Sequence, residues 1–228
     1  MVNIKLDLHI HSIYSGDSII KPKEIIKYIQ YIGLDGFAIC DHNNLKAFKK
    51  LENEGKKNDL VVIPGMEIET DIGEVIGLFL ENEISTKNQD FISIVENIKE
   101  NNGLIIIPHP FDFLRRNHLK IKLLNENIIK KYIDGVEIIN SRIIFKTCIK
   151  NAKKFKDKYP LFETGGSDAH TPKEIGNAYT LINNTEKSLE SIKRSLISKN
   201  SKSMGIRSNP LVHVKTMINK LKKGSYFL

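Results

Sequence analysis

The chain has 228 residues, 40% of them hydrophobic, and a formal net charge of +8, so it can bury a sizeable core and favours an anionic partner such as a phosphate ester, a nucleotide or a nucleic acid. Its longest apolar runs are strand-length and Met1 is followed by polar residues, which argues against a membrane span or a signal peptide and predicts a soluble, cytoplasmic protein. Two cysteines, Cys40 and Cys148, are too few for a disulfide scaffold and are predicted to be free thiols.

Predicted strands and helices alternate along the chain. Apolar runs bounded by turn residues predict strands at 3–8, 35–40, 60–64, 73–80, 104–107, 135–139, 161–164 and 179–182. Apolar residues at helical spacing predict helices at 22–32, 45–57, 91–100, 145–158, 188–198 and 210–222. The strand at 73–80 is expected to pair with its neighbour in a hairpin. Such alternation favours an α/β fold with a parallel sheet, open or closed into a barrel.

One domain is predicted to span residues 1–228, because no linker rich in proline or serine divides the chain. Residues 200–209 form the one weak candidate for a boundary. The helix within residues 210–228 is too short to fold alone and is expected to pack on the barrel.

Histidines and carboxylates collect directly behind the predicted strands. Five of the seven histidines lie there, and in α/β sheets the carboxyl ends of the strands carry the active site. In the run Asp7-Leu8-His9-Ile10-His11-Ser12, strand alternation points His9 and His11 the same way. Taken singly, His109 fits a rigid turn, Asp168 a helix cap, and Glu67 a pair with a lysine; their shared position argues for a joint role. The full set is His9, His11, Asp17, Asp41, His42, Glu67, His109, Glu137, Asn140, Asp168 and His170.

This donor set predicts a polynuclear metal centre. Five histidines with three or four carboxylates exceed the needs of one tetrahedral ion, so two or three divalent ions (Zn, Mn or Fe) are expected, with a carboxylate between them. Such ions lower the pKa of bound water and clamp a phosphoryl group. Gly166-Ser167 lacks the pattern of a nucleophile elbow, and the chain has no phosphate-binding loop ending in Gly-Lys-Ser/Thr.

Five short segments resemble the motifs of the PHP (polymerase and histidinol phosphatase) superfamily. They are Asp7-Leu8-His9-Ile10-His11-Ser12, Asp41-His42, Gly65-Met66-Glu67, Pro108-His109-Pro110 and Gly166-Ser167-Asp168-Ala169-His170. The resemblance runs from Leu6 to at least Thr180. It implies a distorted (β/α)7 TIM-like barrel that holds two or three metal ions and hydrolyses phosphoesters.

The resemblance also implies a division of the ligands. It gives His9, His11, Glu67 and Asp168 to the first ion, Glu67 (as a bridge) and His109 to the second, and Asp17, His42 and His170 to the third. Some relatives have a histidine where Asp17 stands. A further ligand to the second ion is open between Glu137 and Asn140, whereas Asp41 is expected to orient a ligand or hold water.

Three arginines are candidates for binding phosphate. Arg115 and Arg116 follow His109 closely and suit a bidentate clamp, unless they belong to a solvated basic turn; Arg142 follows the strand at 135–139. His118 and His213 are not expected to be ligands.

The favoured function is hydrolysis of small phosphomonoesters by a metal-bound hydroxide, with Asp17, Asp168 or a bound water assisting proton transfer. A nuclease or nucleoside bisphosphate phosphatase acting on nucleic-acid ends is the enzymatic alternative. A non-catalytic scaffold in a nucleic-acid-processing complex is the alternative of another class. A continuous basic groove leading into the site would favour the nuclease, and an incomplete ligand set the scaffold.

Overall fold

The structure is a computed structural model that describes residues 2–209, 211 and 212. Its strands are β1 (Val2–Ile10), β2 (Gly36–Ile39), β3 (Val61–Thr70), β4 (Gly73–Leu78), β5 (Leu104–Ile107), β6 (Gly135–Asn140), β7 (Phe162–Gly166), β8 (Ala178–Thr185) and β9 (Ser201–Gly205). Its helices are α1 (Pro22–Ile32), α2 (Lys46–Lys57), α3 (Phe91–Glu100), α4 (Glu126–Tyr132), α5 (Lys146–Lys158) and α6 (Leu189–Ile197). None of these helices is long and apolar enough to cross a membrane.

The described strands form a single nine-stranded sheet in the order β7-β6-β5-β4-β3-β2-β1-β8-β9. Strands β1 to β3 run parallel, as do β5 to β7, but β4 is antiparallel to both of its neighbours. Strand β8 pairs antiparallel with β1, and β9 pairs antiparallel with β8. The predicted hairpin at β4 is confirmed, and most of the remaining sheet is parallel as predicted, except that β8 and β9 run antiparallel to their neighbours. A two-residue turn joins β3 to β4, and so short a connection can only reverse the chain.

The sheet curls until its two ends nearly meet, which confirms the predicted α/β barrel. Thr180 of β8 bridges to β7, where its hydroxyl accepts from the Gly165 amide at 2.9 Å. Beyond the strand, the Asp168 amide donates to the His9 carbonyl oxygen at 2.7 Å. The barrel is therefore closed by individual hydrogen bonds. We call this line of contacts the seam; it joins the end of β1 to the segment that follows β7.

Apolar packing holds the two faces of the sheet. One buried cluster takes side chains from strands all round the ring, among them Leu6, Ile63 and Phe162, and fills its inside. Two further clusters pack helices onto the outside, as where Ile25 and Ile29 of α1 meet the sheet. Pro22 in the first turn and Gly33 at a φ of 69° bound that helix as the sequence predicts.

Two predictions concern the C-terminal part of the chain. The stretch 200–209, the weak candidate for a boundary, contains β9, which pairs with β8. Its polar sequence Ser201-Lys202-Ser203-Met204-Gly205 lacks the apolar signal of a strand. The predicted helix at 210–222, its packing on the barrel and His213 lie outside the described residues, except for 211 and 212.

Candidate metal centre

The end of β1 brings two histidines together. The Nε2 atoms of His9 and His11 lie 3.0 Å apart, and both side chains are buried. Nδ1 of His9 donates to Glu137 at 3.1 Å, and Nδ1 of His11 pairs with the Ser15 hydroxyl at 2.9 Å. A ring whose Nδ1 is fixed by a partner presents its Nε2 lone pair outward, which is the orientation of a metal ligand.

Glu67 of β3 lies at the centre of the histidines. Its Oε2 is 3.1 Å from Nε2 of His11 and 3.5 Å from Nε2 of His9, and its Oε1 is 2.9 Å from Nε2 of His109. His42, behind β2, approaches the same carboxylate with Nδ1 at 3.5 Å. Burial alone would raise the pKa of Glu67, but His9 and the hydrogen bonds from the other imidazoles hold it well below its ordinary value. An ionised carboxylate facing this many imidazole nitrogens can bridge two ions.

A second group forms around Asp17. Its Oδ2 lies 3.3 Å from Nε2 of His42 and 3.1 Å from Nε2 of His170. Burial alone would raise the pKa of Asp17, but hydrogen bonds from these two rings hold it far below its ordinary value. The pKa of His42 lies at about 9, since Asp17 and Glu67 outweigh the effect of burial, while burial lowers that of His170 to about 4.

Glu74 of β4 joins the centre, and the sequence analysis does not find it. Its Oε2 lies 3.7 Å from Nε2 of His109, and it forms a possible ligand group with His42 and Glu67. Burial and then repulsion by Glu67 raise the pKa of Glu74 to about 7. Glu74 opposes Glu69 across the hairpin, at the edge where β3 ends. The signal for it was the predicted hairpin, because the second strand of a hairpin begins where the first one ends.

Asp168 lies on the other side of His9 and His11. Its Oδ1 is 3.9 and 3.6 Å from their Nε2 atoms and has no hydrogen-bond partner, and its Oδ2 accepts from Arg115 and, at 3.1 Å, from Asn140. Burial alone would raise the pKa of Asp168, but Arg115 and His9 hold it well below its ordinary value. Asp168 has a φ of 54°, in the left-handed region, which is uncommon for residues other than glycine although Asp adopts it more readily than most.

The three candidate arginines differ in position. Arg115 contacts Asp168, and Arg142 lies with Nη1 2.7 Å from Nδ1 of His170. Arg116 is exposed on the outer side of its turn, so the structure brings two of the three to the centre. His118 pairs with the Arg115 carbonyl oxygen instead of facing the centre.

Glu137, Asn140 and Asp41 support the proposed ligands by hydrogen bonds. Glu137 bonds to His9 and also accepts from the His109 amide at 2.7 Å. Asn140 donates to Glu137 at 3.0 Å. Asp41 holds the Ser12 amide at 2.6 Å, which fixes the loop behind His11.

The residues present fit divalent cations. Three groups of side chains each place one ligand atom per residue within 4.8 Å of the others. These groups are His11, Asp17, His42 and His170; His9, His11 and Glu67; and His42, Glu67 and Glu74. The centre buries more carboxylates than the adjacent Arg115 and Arg142 can neutralise, which would be costly without cations. The carboxylates concerned are Asp17, Asp41, Glu67, Glu74, Glu137 and Asp168.

Comparison with known sequences identifies the family. The model of the PHP domain matches residues 7–165, and that of a PHP-associated region matches residues 150–200. The chain belongs to the PHP domain family. An uncharacterized protein of Methanocaldococcus jannaschii is 39% identical to this PHP domain protein over 177 residues, which cover 77% of this chain and 69% of the relative.

Solved structures share the fold of this PHP domain. A two-domain protein of Bacteroides vulgatus, described as containing a predicted PHP-like metal-dependent phosphoesterase, superposes with a TM-score of 0.76 at 19% identity over 90% of this chain. The chain spans 65% of that protein's length. The lesion-specific endonuclease EndoQ of Pyrococcus furiosus superposes with a TM-score of 0.64 at 18% identity, covering 91% of this chain and 60% of that one.

Proposed function

We propose that this PHP domain hydrolyses phosphomonoesters, with two or three divalent ions held between its strand ends. The observation that carries the proposal is the position of Glu67, whose two carboxylate oxygens face imidazole nitrogens at 2.9 and 3.1 Å on opposite sides. The proposed ligands are His9, His11, Asp17, His42, Glu67, His109, Asp168 and His170, with Glu74 as the further one. Zinc, manganese and iron all suit this mixture of imidazole and carboxylate.

Bound ions would supply an activated water at neutral pH and would offset the charge of the phosphoryl group. Side chains of this protein would orient the ligands and bind the phosphoryl group. Glu137 accepts from Nδ1 of His9 and so directs its Nε2 lone pair to the centre, and Ser15 orients the His11 ring. Arg115 and Arg142 approach from one side, where their guanidinium groups can bind non-bridging phosphoryl oxygens.

Proton transfer falls to carboxylates at the same edge. Asp17 and Asp168 have pKa values held low by their neighbours, so both are ionised and can accept a hydrogen bond that orients a bound water. Asp17, Asp168 or that water would then assist proton transfer to the leaving oxygen. A scaffold role is less well supported, because every ligand position implied by the family resemblance carries a residue that can bind metal.

The experiment is hydrolysis of p-nitrophenyl phosphate with added manganese or zinc. His9→Ala and Asp168→Ala should abolish the metal-dependent rate, because each removes a ligand from the centre. Asp134→Ala is the matched control, since that carboxylate pairs with Lys99 and lies at the start of β6, at the opposite edge of the barrel. Full activity in the first two variants would refute the site. A wild-type protein that binds less than one ion and shows no hydrolysis would favour the scaffold.

A further inference from the structure

Two exposed phenylalanines, Phe113 and Phe145, stack on each other at the protein surface. Phe113 is 61% exposed and Phe145 is 42% exposed, and their ring centroids lie 5.2 Å apart at an interplanar angle of 18°. Phe113 lies between β5 and α4, and Phe145 directly precedes α5. Exposed aromatic pairs held in parallel suit a further flat ring, because every nucleobase has a π-face that can stack on them.

The stack lies on the two loops that bring arginines to the centre. Phe113 is two residues before Arg115, which contacts Asp168, and Phe145 is three residues after Arg142, which lies against His170. A ligand whose aromatic ring stacks on these phenylalanines therefore contacts the loops that carry Arg115 and Arg142.

A cationic groove runs along α5, which begins one residue after Phe145. It has a volume of about 640 Å³ and an apolar lining from Ile139, Ile149 and Ile206. Its charged residues are Lys146, Lys150, Lys153, Lys154 and Arg207, against the single carboxylate of Asp157. We call this surface the α5 groove.

Among the described residues, the lysines of the α5 groove have no carboxylate partners. Within the described part of the chain, no carboxylate forms an ion pair with its four lysines, whereas Lys156 and Lys158 of the same helix are paired with Glu163 and Glu126. Unpaired cations on one side of a helix leave a field that attracts a polyanion.

The groove and the centre are joined through the segment behind β9. Ser208 lies next to Arg207 and bonds to the Ser141 hydroxyl at 2.9 Å, and Ser141 precedes Arg142. From Lys146 to Lys154 the helix rises about 12 Å, so the cations form a strip leading away from the stack.

We infer that the Phe113–Phe145 stack and the α5 groove bind single-stranded nucleic acid. The terminal base stacks on the phenylalanines, and the following backbone phosphates contact the lysines. The placement of the terminal phosphate in the metal centre rests on the proposed function; the binding surface does not. The aromatic stack beside the lysines favours a polyanion that carries bases over an anionic membrane.

The test is fluorescence anisotropy with a fluorescein-labelled, terminally phosphorylated single-stranded dodecathymidylate, in EDTA so that nothing is cleaved. Phe145→Ala and Phe113→Ala should each weaken binding roughly tenfold. The double variant Lys150→Gln/Lys153→Gln should lower the slope of log affinity against log salt by about 1.4, since two phosphate contacts are lost.

Matched controls lie on α1. Tyr31→Ala removes an aromatic ring that is 87% exposed, and Lys23→Gln/Lys27→Gln removes the same charge from an exposed face. Both should bind as the wild type does. The inference is overturned if either set of test variants behaves like its control, as it would if the chain's own residues 210–228 covered the groove. Tighter binding to phosphatidylserine vesicles than to the oligonucleotide would also overturn it. Hydrolysis of p-nitrophenyl phosphate without oligonucleotide binding would leave the proposed function intact.

Discussion

Glu137 supports two proposed ligands at once, so its replacement tests the metal centre without removing a ligand. Its carboxylate is buried on β6, accepts from Nδ1 of His9 at 3.1 Å, and accepts from the His109 amide at 2.7 Å and from Asn140 at 3.0 Å. Glu137→Gln keeps the shape but removes the charge and turns one acceptor into a donor. A hydrogen bond to a charged group contributes about 1.5–3 kcal/mol, and a neutral one about 0.5–1.5 kcal/mol.

The weakened support should therefore lower metal affinity by about 10- to 100-fold, which corresponds to ~1.4–2.8 kcal/mol. The assay is calorimetric titration of manganese and zinc into protein stripped with a chelator, with a thermal melt to confirm folding. Glu163→Gln removes the same charge on β7, where the carboxylate accepts from the Ser203 amide at 2.8 Å, and should bind metal as the wild type does. An unchanged metal affinity in Glu137→Gln would refute the reasoning that Glu137 supports His9 and His109 as metal ligands.

Two further predictions concern the charge and the packing of the centre. Burial and the repulsion by Glu67 raise the pKa of Glu74 from 4.5 to about 7, so the folded, metal-free protein binds this proton more tightly than the unfolded chain does. The resulting stability is complete below pH 4.5 and lost as the pH rises through about 7. In urea unfolding of the metal-free proteins, the wild type should lose up to ~3 kcal/mol of unfolding free energy over this pH range, and Glu74→Gln should not. Equal dependence of the unfolding free energy on pH in the two proteins would contradict the assignment. A Cβ on Gly166 would lie 2.4 Å from that of His9 and 2.7 Å from Glu137 Oε1, so Gly166→Ala should cost about 1–3 kcal/mol of stability and weaken metal binding. If Gly166→Ala keeps the wild-type melting temperature and metal affinity, His9 and Glu137 can move aside for the added Cβ and the prediction is refuted.

Much of the centre follows from the sequence because parallel strands deliver their carboxyl ends to one edge. His9, Glu67 and His109 each follow or end a predicted strand, and the fold places the Nε2 atoms of His9 and His109 at 3.5 and 2.9 Å from the Glu67 carboxylate. Strand alternation and β–α alternation are local patterns, so they survive in the sequence. The pairing direction of a strand is not local, and this explains why the antiparallel pairing of β8 with β1 does not follow from the sequence.

Glu74 and β9 were missed for different physical reasons. Glu74 stands at the start of its strand and reaches the centre only because β4 runs antiparallel to β3. Strand β9 is polar and half-exposed, and its order comes from pairing with β8 rather than from burial of its own side chains. Likewise, no sequence pattern separates Arg115, which turns inward, from its exposed neighbour Arg116.

The seam of the barrel sets the time at which the metal centre becomes complete. The Ser167 amide donates to Asp7 at 2.8 Å across 160 residues of sequence, and the Asp168 amide donates to His9 beside it. Contacts of such separation form late, and a chain made from its N-terminus releases His9 and His11 long before Asp168 and His170. A nascent or partly unfolded chain thus lacks the full set of proposed ligands. Binding of metal by all of them would therefore indicate that the barrel has closed.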